Sequence, residues 1–135
     1  MRDYDGLKSL MDYLAASVSP FHAAAEAASA LERSGFRRLD EGDAWQLEAG
    51  GAYYLLRNGS SLIAFVVGSA APAEAGFRLL AAHTDSPGFR VKSNAETLSG
   101  NVGRLALDLY GAPIVSTWLD RELAVAGRLA VETAE

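Results

Sequence analysis

Two histidines, His22 and His83, are the natural starting points for chemistry in this chain of 135 residues. His83 closes the apolar run Leu79-Leu80-Ala81-Ala82 and is followed by Thr84, Asp85, Ser86 and Pro87. A His-x-Asp pair at the C-terminal tip of an apolar strand is where an α/β enzyme holds a metal or a reacting group. A neutral imidazole is the commonest metal ligand, and its second ring nitrogen usually donates to a carboxylate that fixes the tautomer. Asp85 is close enough in sequence to be that carboxylate, and Pro87 would stiffen the turn that holds both. On spacing alone the more economical alternative is a histidine capping a strand, with Asp85 and Ser86 as ordinary turn formers. One histidine and one aspartate also leave a zinc shell of about four ligands incomplete.

The other candidates carry less. His22 falls in the first turn of an expected helix, where a capping or packing role competes with a role as a second ligand. The helix N-terminus disfavours an added positive charge there. Ser86 and Ser116 do not lie in a Gly-x-Ser-x-Gly elbow, which argues against a serine hydrolase. Gly50-Gly51 and Gly100-x-x-Gly103 lack the Gly-Lys-Ser/Thr ending of a phosphate loop. Arg90 and Lys92 alternate along a strand and fit its wet side, while Trp118, Asp120 and Arg121 fit a buried anchor beside a local ion pair.

The elements that would position these residues follow from period and punctuation. Tyr4, Leu7, Leu10, Met11 and Leu14 recur at helical spacing, which predicts an amphipathic helix from about Tyr4 to Ala16. Ser19-Pro20 opens a second helix, with Ser19 capping and proline in the first turn, and Gly35 closes it. The period then switches: Ala52 to Arg57, Ser61 to Val67 and Phe77 to Ala82 read as strands. Asn58-Gly59 marks a hairpin between the first two. Gly68 to Gly76, with Pro72 inside it, reads as a surface loop. Phe77 to Ala82 lacks alternation, which predicts a strand buried on both faces in the middle of a sheet. Phe89 to Lys92, Arg104 to Tyr110 and Ala124 to Val131 read as strands of a half-exposed sheet or small barrel.

Composition bounds the rest. Half of the residues are hydrophobic and 21% are charged, an ordinary globular balance. A net charge of −5 argues against nucleic acid, whose phosphates need clustered lysine and arginine. The absence of cysteine removes disulfides, thiolate metal sites and a cysteine nucleophile, and fits a reducing compartment. Acids stand near the N-terminus where a secretory signal would carry cations, and the run Leu62 to Val67 is far shorter than the ~30 Å bilayer core requires. The expected partner is neither a nucleic acid nor a membrane, and the expected compartment is the cytoplasm.

As a string, His83-Thr84-Asp85-Ser86-Pro87 followed by Arg90-Val91-Lys92 resembles the aspartyl aminopeptidase family of dinuclear zinc exopeptidases. Other segments match in the same order. Ser19-Pro20-Phe21-His22 is similar to the family's early helix motif, with Gly35-Phe36 and Leu39-Asp40-Glu41 after it. Asn58 with Ser60-Ser61-Leu62-Ile63-Ala64 resembles the hairpin. Tyr110-Gly111, then Ser116 to Leu123, then Ala126-Gly127-Arg128 resemble the start of the domain inserted in that family.

The resemblance implies a cytoplasmic metallo-aminopeptidase that removes N-terminal residues, preferentially acidic ones, from peptide substrates. It implies that His83 binds one of two Zn2+ ions, other divalent metals being alternatives, and that Asp85 is the catalytic carboxylate orienting it; substrate-binding residues are not assigned. Two metals about 3.5–4 Å apart would polarise the scissile carbonyl and bring a bridging water to a pKa of about 7, with a glutamate as general base. A dimerisation domain would interrupt the catalytic domain, and dimers would assemble into a dodecamer. The bridging carboxylate, the Glu-Glu pair, the further carboxylate ligand and the last histidine have no counterpart in these residues. The expectation is therefore the N-terminal third of such an enzyme, inactive by itself. Its fold class is α/β: residues 1–92 form part of a zinc-peptidase-like catalytic domain with helices packed on a mixed sheet. Residues 93–135 begin an inserted β-rich dimerisation domain. The alternative is a catalytically inactive remnant that keeps only fold and assembly surfaces, and a related amidohydrolase or deacetylase is a third reading.

Overall fold

A computed structural model describes residues 4–132. The chain divides into two compact units: one made of the residues up to Asp85 together with those from Ala126 onward, the other Ser86–Val125.

In the first unit, α1 (Tyr4–Ala16) and α2 (Pro20–Arg33) precede a three-stranded mixed sheet of β1 (Arg37–Arg38), β2 (Ala52–Arg57) and β3 (Ser61–Val66). The strand order is β1-β2-β3: Arg37 pairs in parallel with Tyr53, and β3 runs antiparallel to β2 with Ala52 opposite Val66 and Arg57 opposite Ser61. The predicted helices and hairpin are present because their signals are local. Ser19 is the N-cap of α2, in extended conformation, and its hydroxyl accepts from the His22 amide; Pro20 follows in the first turn. Gly35 takes φ +84 beyond the helix end, the left-handed conformation that glycine adopts without a Cβ clash. Asn58 and Gly59 both have positive φ, 53 and 70, and reverse the chain between β2 and β3.

The core of this unit is small. Ala23, Ala24 and Ala28 of α2 are buried, as are Tyr53, Tyr54 and Leu55 of β2. Alanine side chains let a helix lie close to a sheet, and Tyr54 meets α2 through Glu32; its neighbour Tyr53 points to the opposite face, where it packs on Phe65. Helix α1 forms as its period predicts, but Leu7, Leu10, Met11 and Leu14 of its apolar stripe remain exposed.

Two expected strands are absent. Phe77–Ala82 makes no ladder pair among the described residues, and Leu79 and Leu80 are 87% and 103% exposed rather than buried on both faces. An apolar composition does not specify which backbone edge a run will pair with, and among the described residues Phe77–Ala82 adds to neither edge strand, β1 or β3. The segment Ala124 to Val131 likewise adopts no strand. The loop Gly68 to Gly76 contains a single helical turn, α3 (Pro72–Ala75), which proline starts and Gly76, at φ +68, ends.

The second unit is a two-stranded antiparallel ribbon, β4 (Gly88–Ser99) and β5 (Val102–Tyr110), followed by a 3-10 turn at Val115–Thr117. Phe89 lies opposite Leu109 and Val91 opposite Leu107. The register then breaks: the next pair is Glu96 with Leu105, so β4 carries a bulge after Val91. Asn94, at φ 55, and the buried Ala95 lie within it.

Candidate metal centre

The run Phe77–Ala82, which belongs to no strand, leads directly to His83. His83 Nδ1 lies 2.8 Å from Asp85 Oδ1. A carboxylate can only accept, so in the neutral imidazole Nδ1 carries the proton and donates it to Asp85. That places the lone pair on Nε2. The His83 side chain is 89% exposed and that of Asp85 32%, so the carboxylate is the better sheltered of the two. A ligating histidine is held in this way: one nitrogen is fixed by a carboxylate and the other is free to meet a cation.

Thr84, between them, turns to the hairpin. Its Oγ1 donates to the carbonyl of Ser60 at 2.9 Å, joining the residues around His83 to the β2–β3 turn. The far side of the same turn is met by Arg128, whose Nη1 donates to the Asn58 carbonyl at 3.3 Å. Arg128 also stands over the Phe21 ring, 4.5 Å from Cζ to the centroid. No short-range pattern announces either contact, and Arg128 carried no signal beyond its place in the matching string.

His22 is placed differently from His83. Ser19 Oγ lies 2.7 Å from His22 Nδ1 and 3.4 Å from the His22 amide, so His22 serves the helix cap that the alternative reading gave it. Among the described residues no group of three or more histidines, aspartates and glutamates converges as a metal site. The donor set present here fits one zinc ligand and its orienting carboxylate.

In the ribbon, Arg90 and Lys92 are engaged on the strand surface. The Arg90 guanidinium lies 3.9 Å above the Tyr110 ring, and Lys92 Nζ lies 3.0 Å from Asp108 Oδ1. Trp118 is half-buried and meets Phe89 edge-on, with centroids 5.0 Å apart at 90°. These contacts fit the plain reading of all three as strand surface and anchor.

The family model described as aminopeptidase I zinc metalloprotease (M18) matches residues 13–135. A probable M18 family aminopeptidase 2 of Pseudomonas paraeruginosa is 52% identical over 122 residues, 90% of this chain and 28% of that protein. The protein of the same name from Azotobacter vinelandii is 45% identical over 127 residues, covering 94% of this chain and 30% of its own length. The chain thus spans less than a third of the curated relatives it matches.

Among solved structures, a chain in the cryo-EM structure of the Ape4 and Nbr1 complex superposes with a TM-score of 0.78 at 36% identity, over 85% of this chain and 22% of its own. The crystal structure of aminopeptidase I from Borrelia burgdorferi B31 gives a TM-score of 0.71 over 89% of this chain and 30% of its own. At 19% identity that second likeness concerns the fold alone.

Proposed function

This chain belongs to the M18 family of aminopeptidase I zinc metalloproteases, and from that premise we propose that it is the N-terminal part of a cytoplasmic aminopeptidase. The complete enzyme removes N-terminal residues, acidic ones by preference, from peptides, and works as a homo-oligomer. Residues 1–92 belong to its catalytic domain and residues 93–135 begin an inserted β-rich dimerisation domain. The described chain itself divides at Ser86, inside the catalytic span of this reading, and its residues from Ala126 onward join the first unit. No described helix is long and apolar enough to cross a membrane.

The observation that carries the reading is the 2.8 Å contact between His83 Nδ1 and Asp85 Oδ1. His83 presents Nε2 as one ligand of a dinuclear zinc site, and Asp85 holds the ring in the tautomer that leaves this nitrogen unprotonated. Zinc bound there supplies polarisation of the scissile carbonyl and a water acidified enough to attack near neutral pH. Asp85 contributes twice: it fixes the direction of the imidazole, and its charge makes the ligating nitrogen a stronger donor. The remaining ligands and the general base come from elsewhere in the complete enzyme.

The test is His83→Ala in the full-length protein, with zinc content and release of N-terminal aspartate, glutamate and leucine from peptides measured together. Loss of activity together with one zinc equivalent is the expected result. Retention of both removes His83 from the site, and a wild-type protein that binds zinc yet releases no N-terminal residue returns the inactive-remnant reading.

A further inference from the structure

The β2–β3 turn is gripped on both sides by residues distant in sequence. Thr84 Oγ1 holds the Ser60 carbonyl at 2.9 Å, and Arg128 Nη1 holds the Asn58 carbonyl at 3.3 Å. Gly59 stands between the two carbonyls at φ +70, and a Cβ added there would lie 3.8 Å from Phe21 Cδ1 and 4.0 Å from Arg128 Nη1. The turn, the first turn of α2 and the Arg128 guanidinium therefore form one packed contact. All of these residues lie in the same compact unit.

This contact bears on the metal centre through Thr84, the one residue separating His83 from Asp85. The run that leads to His83 lies outside any ladder among the described residues. A side-chain tether therefore does the work that ladder hydrogen bonds do elsewhere, fixing where the end of this run lies. The His83–Asp85 hydrogen bond sets the ring relative to the local backbone, while the Thr84–Ser60 bond sets that backbone relative to the sheet.

We infer that Thr84 and Arg128 are positioning residues for His83: they hold the Asn58–Ser60 turn from its two sides, and the turn fixes the backbone that aims the imidazole at its metal. The inference rests on the reading of His83 as a zinc ligand. It adds residues that touch neither metal nor substrate. Supporting partners around a metal ligand commonly matter about 10–100-fold in affinity, so an effect of that size is expected for Thr84.

The experiment uses the full-length protein, stripped of metal and reloaded with zinc or cobalt(II). Zinc affinity is measured by chelator competition, and ligand geometry by the visible cobalt spectrum. Thr84→Val, nearly isosteric but without the hydroxyl, is expected to weaken zinc binding about 10–100-fold and shift the cobalt bands. Thr84→Ser, which keeps the hydroxyl, restores both. Arg128→Met shifts both readouts in the same direction by a smaller factor, and it decides alone should Thr84→Val fail to fold. Wild-type affinity and spectrum in Thr84→Val and Arg128→Met, beside a His83→Ala protein that loses a metal equivalent, overturn the positioning role only. Full metal content in His83→Ala overturns the ligand reading beneath it.

Discussion

The Tyr54 hydroxyl donates a hydrogen bond to the carboxylate of Glu32, tying the middle strand of the sheet to the last turn of α2. Tyr54 is 1% exposed, and the helix it meets is lined with alanine. The bond to Glu32, with burial and the negative charge of Glu32 acting in the same direction, holds the phenol above its ordinary pKa of 10.0. Arg38 opposes this weakly.

That coupling predicts a response to alkali. Below pH ~10 both folded and unfolded forms keep the phenolic proton, and the stabilisation is fully present. As pH rises further, the unfolded chain releases the proton before the folded one does, so stability falls until the folded group also titrates. Tyr54→Phe should lose about 1 kcal/mol at neutral pH, because a hydrogen bond is removed and Glu32 can turn to water. It should also flatten the decline above pH ~10. Denaturant unfolding of the wild-type and variant full-length proteins between neutral and strongly alkaline pH measures both effects. Equal slopes for the two proteins would assign the alkaline loss to other groups.

The Ser19 cap predicts an effect of similar size at the other end of the same helix. Ser19 Oγ serves both the His22 amide and the His22 ring, at 3.4 and 2.7 Å. Ser19→Ala leaves the amide without its side-chain acceptor and should cost about 1 kcal/mol. Ser19→Asp restores an acceptor and adds a negative charge at the positive end of the helix, so it should recover the loss. Thermal unfolding of the two variants decides. A shared loss in both would mean that the hydroxyl acts through something other than the cap.

In the second unit, Gly111 has φ +69, and a Cβ there would lie 3.3 Å from the Cα of Pro87. Two penalties follow from one methyl group. Left-handed backbone costs an alanine roughly 1–2 kcal/mol, and the contact with Pro87 backbone must be relieved by a shift. Gly111→Ala should therefore lower the unfolding midpoint. Gly111→Asn separates the causes, since asparagine tolerates the left-handed region while its Cβ meets the same atoms. A normal midpoint in the asparagine variant would place the cost in the dihedral alone.

What the sequence made legible was what neighbours in the chain decide. The limits of α1 and α2 follow from apolar period, Ser19-Pro20 and Gly35, and the β2–β3 hairpin from Asn58-Gly59. The His83–Asp85 contact belongs to the same class, because residues two apart in the chain are within reach of one another. Phe77–Ala82 failed because an apolar run cannot state which backbone will pair with it. Arg128 escaped notice for a related reason: its partners, Phe21 and Asn58, are far from it in sequence, and an arginine near glycine and alanine carries no local mark. Tyr54 and Glu32 were equally silent, since neither lies in a motif.

The Asp85 carboxylate sits 2.8 Å from His83 Nδ1. Asp85→Asn keeps the shape and can still accept the Nδ1 proton through its amide oxygen, but it loses the negative charge and can also present an NH2 group to the ring. The ring orientation then becomes less certain and Nε2 a weaker donor. Zinc affinity in the full-length enzyme should fall about 10–100-fold, with kcat largely restored at saturating zinc. Asp85→Ala, which removes the acceptor altogether, should not recover at any zinc concentration that leaves the protein soluble. Chelator competition and peptide turnover, followed across zinc concentration, separate the two variants. If Asp85→Asn binds zinc normally and yet loses kcat, the carboxylate acts on the reacting atoms themselves rather than by holding the imidazole.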